Sequence, residues 1–215
     1  LDRGQVINTN AEAAALLRRV GAAVGDGGLR DFSDSILRFV LENQNADGSW
    51  YYYAEDSHGG PSLIDGYHTG MVLNALLDVS TNAKPEDGVA EIARKALENG
   101  LDYYLRHLFG PDGRPLCVAG KDFPMDIYAC GQAVWSLSEA GRFAGLPEEL
   151  AGRARTRARQ AADFSVDGMM DRDGSFIYRR YRFGAIRLRS LRWAQGLMCL
   201  ALARHLTPAG SADRA

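Results

Sequence analysis

The sequence predicts an all-α protein in which helical hairpins repeat and stack as an α/α toroid or partial toroid. Three observations carry this. An Asp-Gly turn recurs three times at nearly regular intervals, as Asp47-Gly48-Ser49-Trp50, Asp112-Gly113-Arg114 and Asp173-Gly174-Ser175-Phe176. Each turn follows an amphipathic stretch (36–43, 92–109, 154–170) and precedes a more uniformly apolar one (67–79, 127–140, 191–206). The three apolar stretches align without gaps, matching Gly70-Met71 with Gly131-Gln132 and Ala194-Gln195, and Leu76 with Leu137 and Leu200. Such self-similarity marks units that cannot bury an apolar face alone and do so by stacking.

Helices apolar on most faces belong inside, and the amphipathic ones before them belong outside. Small residues at Gly70, Gly131 and Ala194 suit close approach of neighbouring helices. A further helix over 11–24 precedes the first repeat and ends in a turn at Gly25 to Gly28. The expectation is therefore about seven helices and no sheet. Short extended runs are expected only at Trp50 to Tyr53 and Ser175 to Tyr178, because clustered aromatics favour that conformation. The repeats span about 29–80, 85–143 and 147–206 within one domain, with a disordered tail over 207–215. Three hairpins make half a ring. The chain also opens at Leu1, so it is expected to be a fragment of a longer protein or one half of a homodimer.

Of the 215 residues 46% are hydrophobic and 24% charged, enough for a sizeable core, and the net charge is −2. That balance gives no broad basic surface and argues against a nucleic-acid partner. The alternating Arg153, Arg155, Arg157 and Arg159 read as a solvated helix face. No apolar run approaches the roughly 20 residues that cross a bilayer, and no secretory signal stands at the start. Cys117, Cys130 and Cys199 lie far apart, unlike zinc pairs, so reduced thiols in a cytoplasmic protein are expected, with no metal and no cofactor.

The chemistry is sought where inner helices begin. The alignment places Asp65, Asp126 and Arg189 at one offset before the matched small residues, two carboxylates and a guanidinium around one mouth. Paired carboxylates divide acid and base roles in glycoside hydrolysis, and an arginine fork suits a substrate carboxylate. Aspartate is equally a preferred N-cap, so capping alone is the competing role of both. His68 follows Asp65 by one turn, as an imidazole oriented for proton transfer or as a structural group. Trp50, Tyr52 and Tyr67 offer ring faces on which sugar C–H groups stack. Six arginines between residues 179 and 192, among them Arg189 and Arg192 beside Trp193, either line the cavity and pair with Asp65 and Asp126, or clamp an anion, or form an ion-paired structural loop. Gln132 and Gln195 hold matched positions, as ligand contacts or as a shared structural hydrogen bond. Glu55, Asp56 and His58 carry metal-ligand chemistry on a loop, at a spacing that is weakly diagnostic.

Gln44-Asn45-Ala46-Asp47-Gly48-Ser49-Trp50 resembles the Q-x-x-D-G-S-W repeat of α/α-toroid terpene cyclases and prenyltransferase-like proteins, although their D-x-D-D acid motif is missing. A closer resemblance is to α/α-toroid proteins found with bacterial polysaccharide-synthesis genes. It lies in Ile64-Asp65-Gly66-Tyr67-His68-Thr69-Gly70, in Pro124-Met125-Asp126-Ile127 with Gln132, and in Arg192-Trp193-Ala194-Gln195-Gly196, and it covers about 39–206. Tyr128-Ala129 stand where that pattern would carry a histidine. The resemblance implies a toroid and a link to glycans. The expectation is an enzyme acting on an anionic polysaccharide or its precursor, with Asp65, His68 and Asp126 catalytic. Trp50, Tyr52, Tyr67, Arg189, Arg192, Trp193 and Gln132 would then bind a carbohydrate or other small-molecule substrate. Hydrolase, lyase and epimerase all use such groups. The other readings are a non-catalytic glycan-binding or scaffold module and a terpenoid-handling toroid.

Overall fold

The computed structural model describes residues 5–54, 63–82 and 88–207, with the side chain of Trp193 outside the described residues. Among them are seven α-helices: α1 (Ile7–Val24), α2 (Gly27–Glu42), α3 (Gly66–Thr81), α4 (Gly88–His107), α5 (Ile127–Ala140), α6 (Glu148–Met169) and α7 (Gly196–Leu206). No described helix is long and apolar enough to cross a membrane. The chain divides into two compact units, one of residues up to Ile64 with His68–Tyr104, the other of Asp65–Tyr67 with Leu105 onward.

In the first unit α1 and α2 form a hairpin. Ala11, Ala14 and Gly21 keep the α1 face small, and Ser33 Oγ donates to Ala14 O at 2.7 Å across the seam. The expected glycine turn is shorter than predicted, because α2 already starts at Gly27. Asp26 caps it, its side chain accepting from Gly28 N at 2.8 Å and Leu29 N at 3.3 Å. The Asp-Gly turn after α2 is rigid. Asp47 Oδ1 accepts from Ser49 N at 3.0 Å and Ser49 Oγ at 2.7 Å, and Gln44 Nε2 donates to Gly48 O and Ala96 O. Gly48 has φ 93° and a Cβ there would meet Asn99 O at 2.5 Å, so only glycine serves. The third copy repeats this chemistry, Asp173 Oδ1 accepting from Ser175 N and Oγ at 3.0 and 2.7 Å.

The second unit is built on α5, which is buried along most of its length and packs against α6 and α7. Ile127, Cys130, Met169, Phe176, Ala194 and Met198 form its core. A Cβ on Gly131 would meet Leu197 Cγ at 3.0 Å and Met198 Sδ at 3.1 Å, the close helix approach expected of that position. The expectation of no sheet is overturned. Strands β1 (Met125–Asp126), β2 (Arg179–Tyr181) and β3 (Gly184–Ile186) form an antiparallel sheet in the order β1-β2-β3. Strands of two and three residues leave no readable alternation, and the Arg182-Phe183 link between β2 and β3 lacks the usual turn pair. The continuous helix expected over 191–206 starts instead as a π-helical turn, Leu191–Gln195, in which Ala194 N and Gln195 N both donate to Ser190 O.

α7 ends on Arg142, whose Nη2 donates to the carbonyls of Arg204, His205 and Thr207 at 2.8–3.0 Å. His205 Nδ1 lies 2.8 Å from Ser138 Oγ. Burial, and then the Arg142 charge, hold the imidazole below the usual histidine range. The unfolded chain therefore takes up this proton more readily than the folded one. Stability should fall as the pH drops below about 6.5 and through the lower folded value. Urea midpoints at pH 5 and pH 7 should differ in that direction, and less so in His205→Gln; an unchanged difference would exclude His205 as the source.

Candidate functional site

The second unit collects the polar groups. β1 pairs with β2 so that Asp126 stands opposite Arg179 and Met125 opposite Arg180. Asp126 also ends β1 and caps α5, its Oδ1 accepting from Tyr128 N at 2.9 Å. Its Oδ2 accepts from Arg179 Nε at 2.8 Å and Nη2 at 2.5 Å. The Asp126 side chain is only 4% exposed, whereas that of Arg179 is 33% exposed. Three N–H donors thus hold a buried carboxylate, leaving one of its roughly four lone-pair directions open.

Three phenol rings cluster beside the pair, Tyr178 under Arg179 and Tyr128 within electrostatic reach of Asp126. Tyr128 meets Tyr67 edge-on with centroids 4.9 Å apart and faces Tyr178 at 6.3 Å, and Arg179 lies over the Tyr178 ring at 5.4 Å. Burial raises the Tyr128 phenol well above its usual range; Tyr67, Tyr178 and Asp126 add to this and the Arg192 charge opposes it. The first turn of α3 is sewn to the segment before β1: Gly66 N donates to Cys117 O at 3.0 Å and Asp65 bridges to Val118. A Cβ at Gly66 would meet Leu116 O at 2.6 Å, so glycine permits this seam. Cys117 is pushed up to about 11, first by burial and then by the charges of Asp126 and Asp65, with Arg179 opposing. Asp65, Cys117, Asp126 and Arg179 therefore share one electrostatic neighbourhood.

Of the expected catalytic residues, Asp65 and Asp126 fall in this unit and His68 in the other, where its ring lies 4.4 Å from that of Tyr52. Tyr67 joins the phenol cluster, and Arg192 reaches it electrostatically. Arg189 is placed elsewhere than expected: it is exposed and pairs with Asp173 of the third Asp-Gly turn. Trp50 is 2% exposed and donates through Nε1 to Val40 O at 2.9 Å, so its ring belongs to the core and not to an open platform. Gln132 is buried and donates to Ser136 Oγ at 3.0 Å, while Gln195 clamps Phe176 N and O at 2.8 and 2.9 Å. The side chain of Trp193 and the loop residues Glu55, Asp56 and His58 lie outside the described residues.

The arginine run was expected to offer a partner to Asp126 without singling out Arg179, and sequence reasoning missed Cys117, Tyr128 and Tyr178 beside that pair. The arginine-aromatic run was visible, but its pairing depends on the β1–β2 register, for which repeat alignment has no counterpart.

No family model matches the chain, and no curated protein matches its sequence. Solved structures do match. A possible member of glycoside hydrolase family 105 from Salmonella enterica superposes with a TM-score of 0.74 at 13% identity, over 95% of this chain and 57% of that one. A polysaccharide lyase gives 0.75 at 10% identity, over 93% and 60%. A glycosyl hydrolase of family 88 from Bacteroides vulgatus gives 0.70 at 11% identity, over 95% and 62%. The chain thus spans about three fifths of the length of these structures. The likeness shows the fold, which is the α/α toroid expected from the repeats.

Proposed function

We propose that this chain belongs to a glycan-processing enzyme whose substrate is an anionic polysaccharide or its precursor. The observation that carries the reading is the buried Asp126 carboxylate, held by Arg179, in one unit with Asp65 and the Tyr67, Tyr128 and Tyr178 ring cluster. Asp65 is assigned the proton transfer, since the Asp126 oxygens already accept three N–H bonds. Asp126 supplies a fixed negative charge for positive charge developing at a sugar ring. Arg192, exposed and close enough to act on Tyr128, is the clamp for a substrate carboxylate. The phenol rings offer faces for sugar C–H groups. The similar structures are named as glycoside hydrolases and a polysaccharide lyase, which fits this substrate class. A toroid of the kind found with bacterial polysaccharide-synthesis genes would act in assembly, and hydrolysis, elimination and epimerisation are then separated by their products.

That Asp126 already accepts three N–H bonds also favours a second reading, a glycan-binding module without turnover. One experiment addresses both. Uronic-acid oligosaccharides should raise the melting midpoint of wild type by several degrees at saturating ligand, because a ligand that binds only the folded state stabilises it. Product analysis on the same samples should show turnover that is lost in Asp65→Asn with binding kept. Binding without any product would establish the module. Absence of both shift and product, with the chain folded, would sink the glycan reading.

A further inference from the structure

The first unit holds a second set of polar groups, which the chemistry above does not use. Asn8 lies in the first turn of α1 and is 5% exposed. Its Nδ2 donates to Met71 Sδ of α3 at 3.6 Å, which fixes the amide plane, and its Oδ1 has no hydrogen-bond partner among the described residues. Further along α3, Asn74 Oδ1 is also buried without a described partner. Glu12 follows Asn8 by one helical turn and therefore stands on the same face of α1. Glu12 is itself exposed, at the edge of the seam, and partial desolvation raises its carboxyl above the usual range against the pull of His68. His68 precedes Met71 by one turn of α3, and its ring lies 4.4 Å from that of Tyr52, tilted by 58°. Tyr52 is tied to the same place, since its carbonyl accepts from Ile7 N at 3.1 Å.

We infer that the α1–α3 seam at Asn8, Glu12 and Asn74, beside the Tyr52 and His68 rings, binds the hydroxyl groups of a neutral sugar residue. The inference rests on the glycan reading and adds a second substrate class to it. A buried carbonyl oxygen without a donor costs folding free energy, and the seam has more than one. What these oxygens lack is donors, and a sugar ring brings several O–H donors on one apolar frame. The neighbouring aromatic rings suit that frame, because they pack on C–H faces. Charge then decides between neutral and acidic sugars. Glu12, and Asp78 further along α3, oppose an anion, and Arg19 already lies 3.9 Å from Asp78. Among the described residues no three His, Cys, Asp or Glu side chains converge on a metal-ion position.

Calorimetric titration of wild type, Asn8→Leu and Glu12→Gln with cellotetraose, mannotetraose and xylotetraose tests this, with trigalacturonate as the acidic comparison. At least one neutral tetrasaccharide should bind wild type and weaken about tenfold or more in Asn8→Leu. Glu12→Gln, which keeps the side-chain shape, should weaken the same sugar. The urea midpoint of Asn8→Leu should be equal to or above that of wild type, since the substitution removes a buried oxygen without a donor. Trigalacturonate binding should be unchanged in both variants. Equal neutral-sugar affinity in Asn8→Leu, or no neutral binding where trigalacturonate binds, overturns the inference alone. If neither class of sugar binds the folded wild type, the glycan reading falls as well.

Discussion

Arg179→Met should destabilise the protein by about 3 kcal/mol, the lower end of the range for removing one partner of a buried ion pair. The Asp126 side chain is almost wholly buried, and two of its three N–H donors come from this one guanidinium. Without Arg179 the carboxylate retains, among the described residues, only the Tyr128 amide. The lower end applies because the Arg179 side is a third exposed, so water reaches the gap and screens part of the loss. The double variant Arg179→Met with Asp126→Leu should recover most of that stability, because an apolar pair of similar volume carries no desolvation cost, although the α5 cap is lost with it. Urea unfolding of the two single variants and the double closes a cycle whose coupling should exceed about 1 kcal/mol. Near-additive losses would make the pair equivalent to a surface salt bridge, and Asp126 would then need another explanation for its burial.

The repeat periodicity made most of the helical fold legible, and the site only half so. The stretch over 127–140 was readable to the residue because α5 is apolar on nearly every face and starts at a capping aspartate. The same alignment matched Asp126 with Arg189, since both lead into an inner helix. In the third repeat, however, the chain makes the β2–β3 hairpin before its helix starts. The hairpin delivers Arg179 to Asp126, while Arg189 turns to Asp173. Strand register is set by partners distant in sequence, and segments this short carry no periodic trace of it. Helical spacing likewise put Asp65 and His68 on one face. The backbone of Asp65 and Gly66 pairs with residues 117–118, and Asp65 falls in one unit and His68 in the other, a division that helical spacing does not carry. The unpartnered oxygen of Asn8 had no signal at all, because an asparagine near a helix start reads as an ordinary cap.

Trp50→Ala should cost about 3–5 kcal/mol, the largest loss expected from any single substitution in the first unit. Sequence alone offered Trp50 as a stacking ring, since aromatics beside carboxylates suit sugars. The fold closes α4 over it. A Cβ at Gly100 would lie 2.4 Å from Trp50 Cζ3 and 2.8 Å from Cη2, so the glycine in α4 is the slot that receives the indole. The ring nitrogen is satisfied by Val40 O of α2, and the ring thus ties α2 to α4 in a dry core. Truncation removes the apolar contacts, orphans that carbonyl and leaves a cavity that two rigid helices cannot collapse. Gly100→Ala is the reciprocal change. It should cost about 1–3 kcal/mol, because a rigid buried ring cannot yield to the added methyl group. In a Trp50→Leu background the smaller side chain vacates the slot, and Gly100→Ala should become neutral or stabilising, since alanine also favours the helix. The two substitutions are therefore non-additive, with the double variant more stable than the sum of the singles predicts. A stacking platform behaves in the opposite way: Trp50→Phe would lose sugar affinity at little cost in stability. The buried geometry instead requires Trp50→Phe to lose stability first, with sugar binding by the folded fraction unchanged.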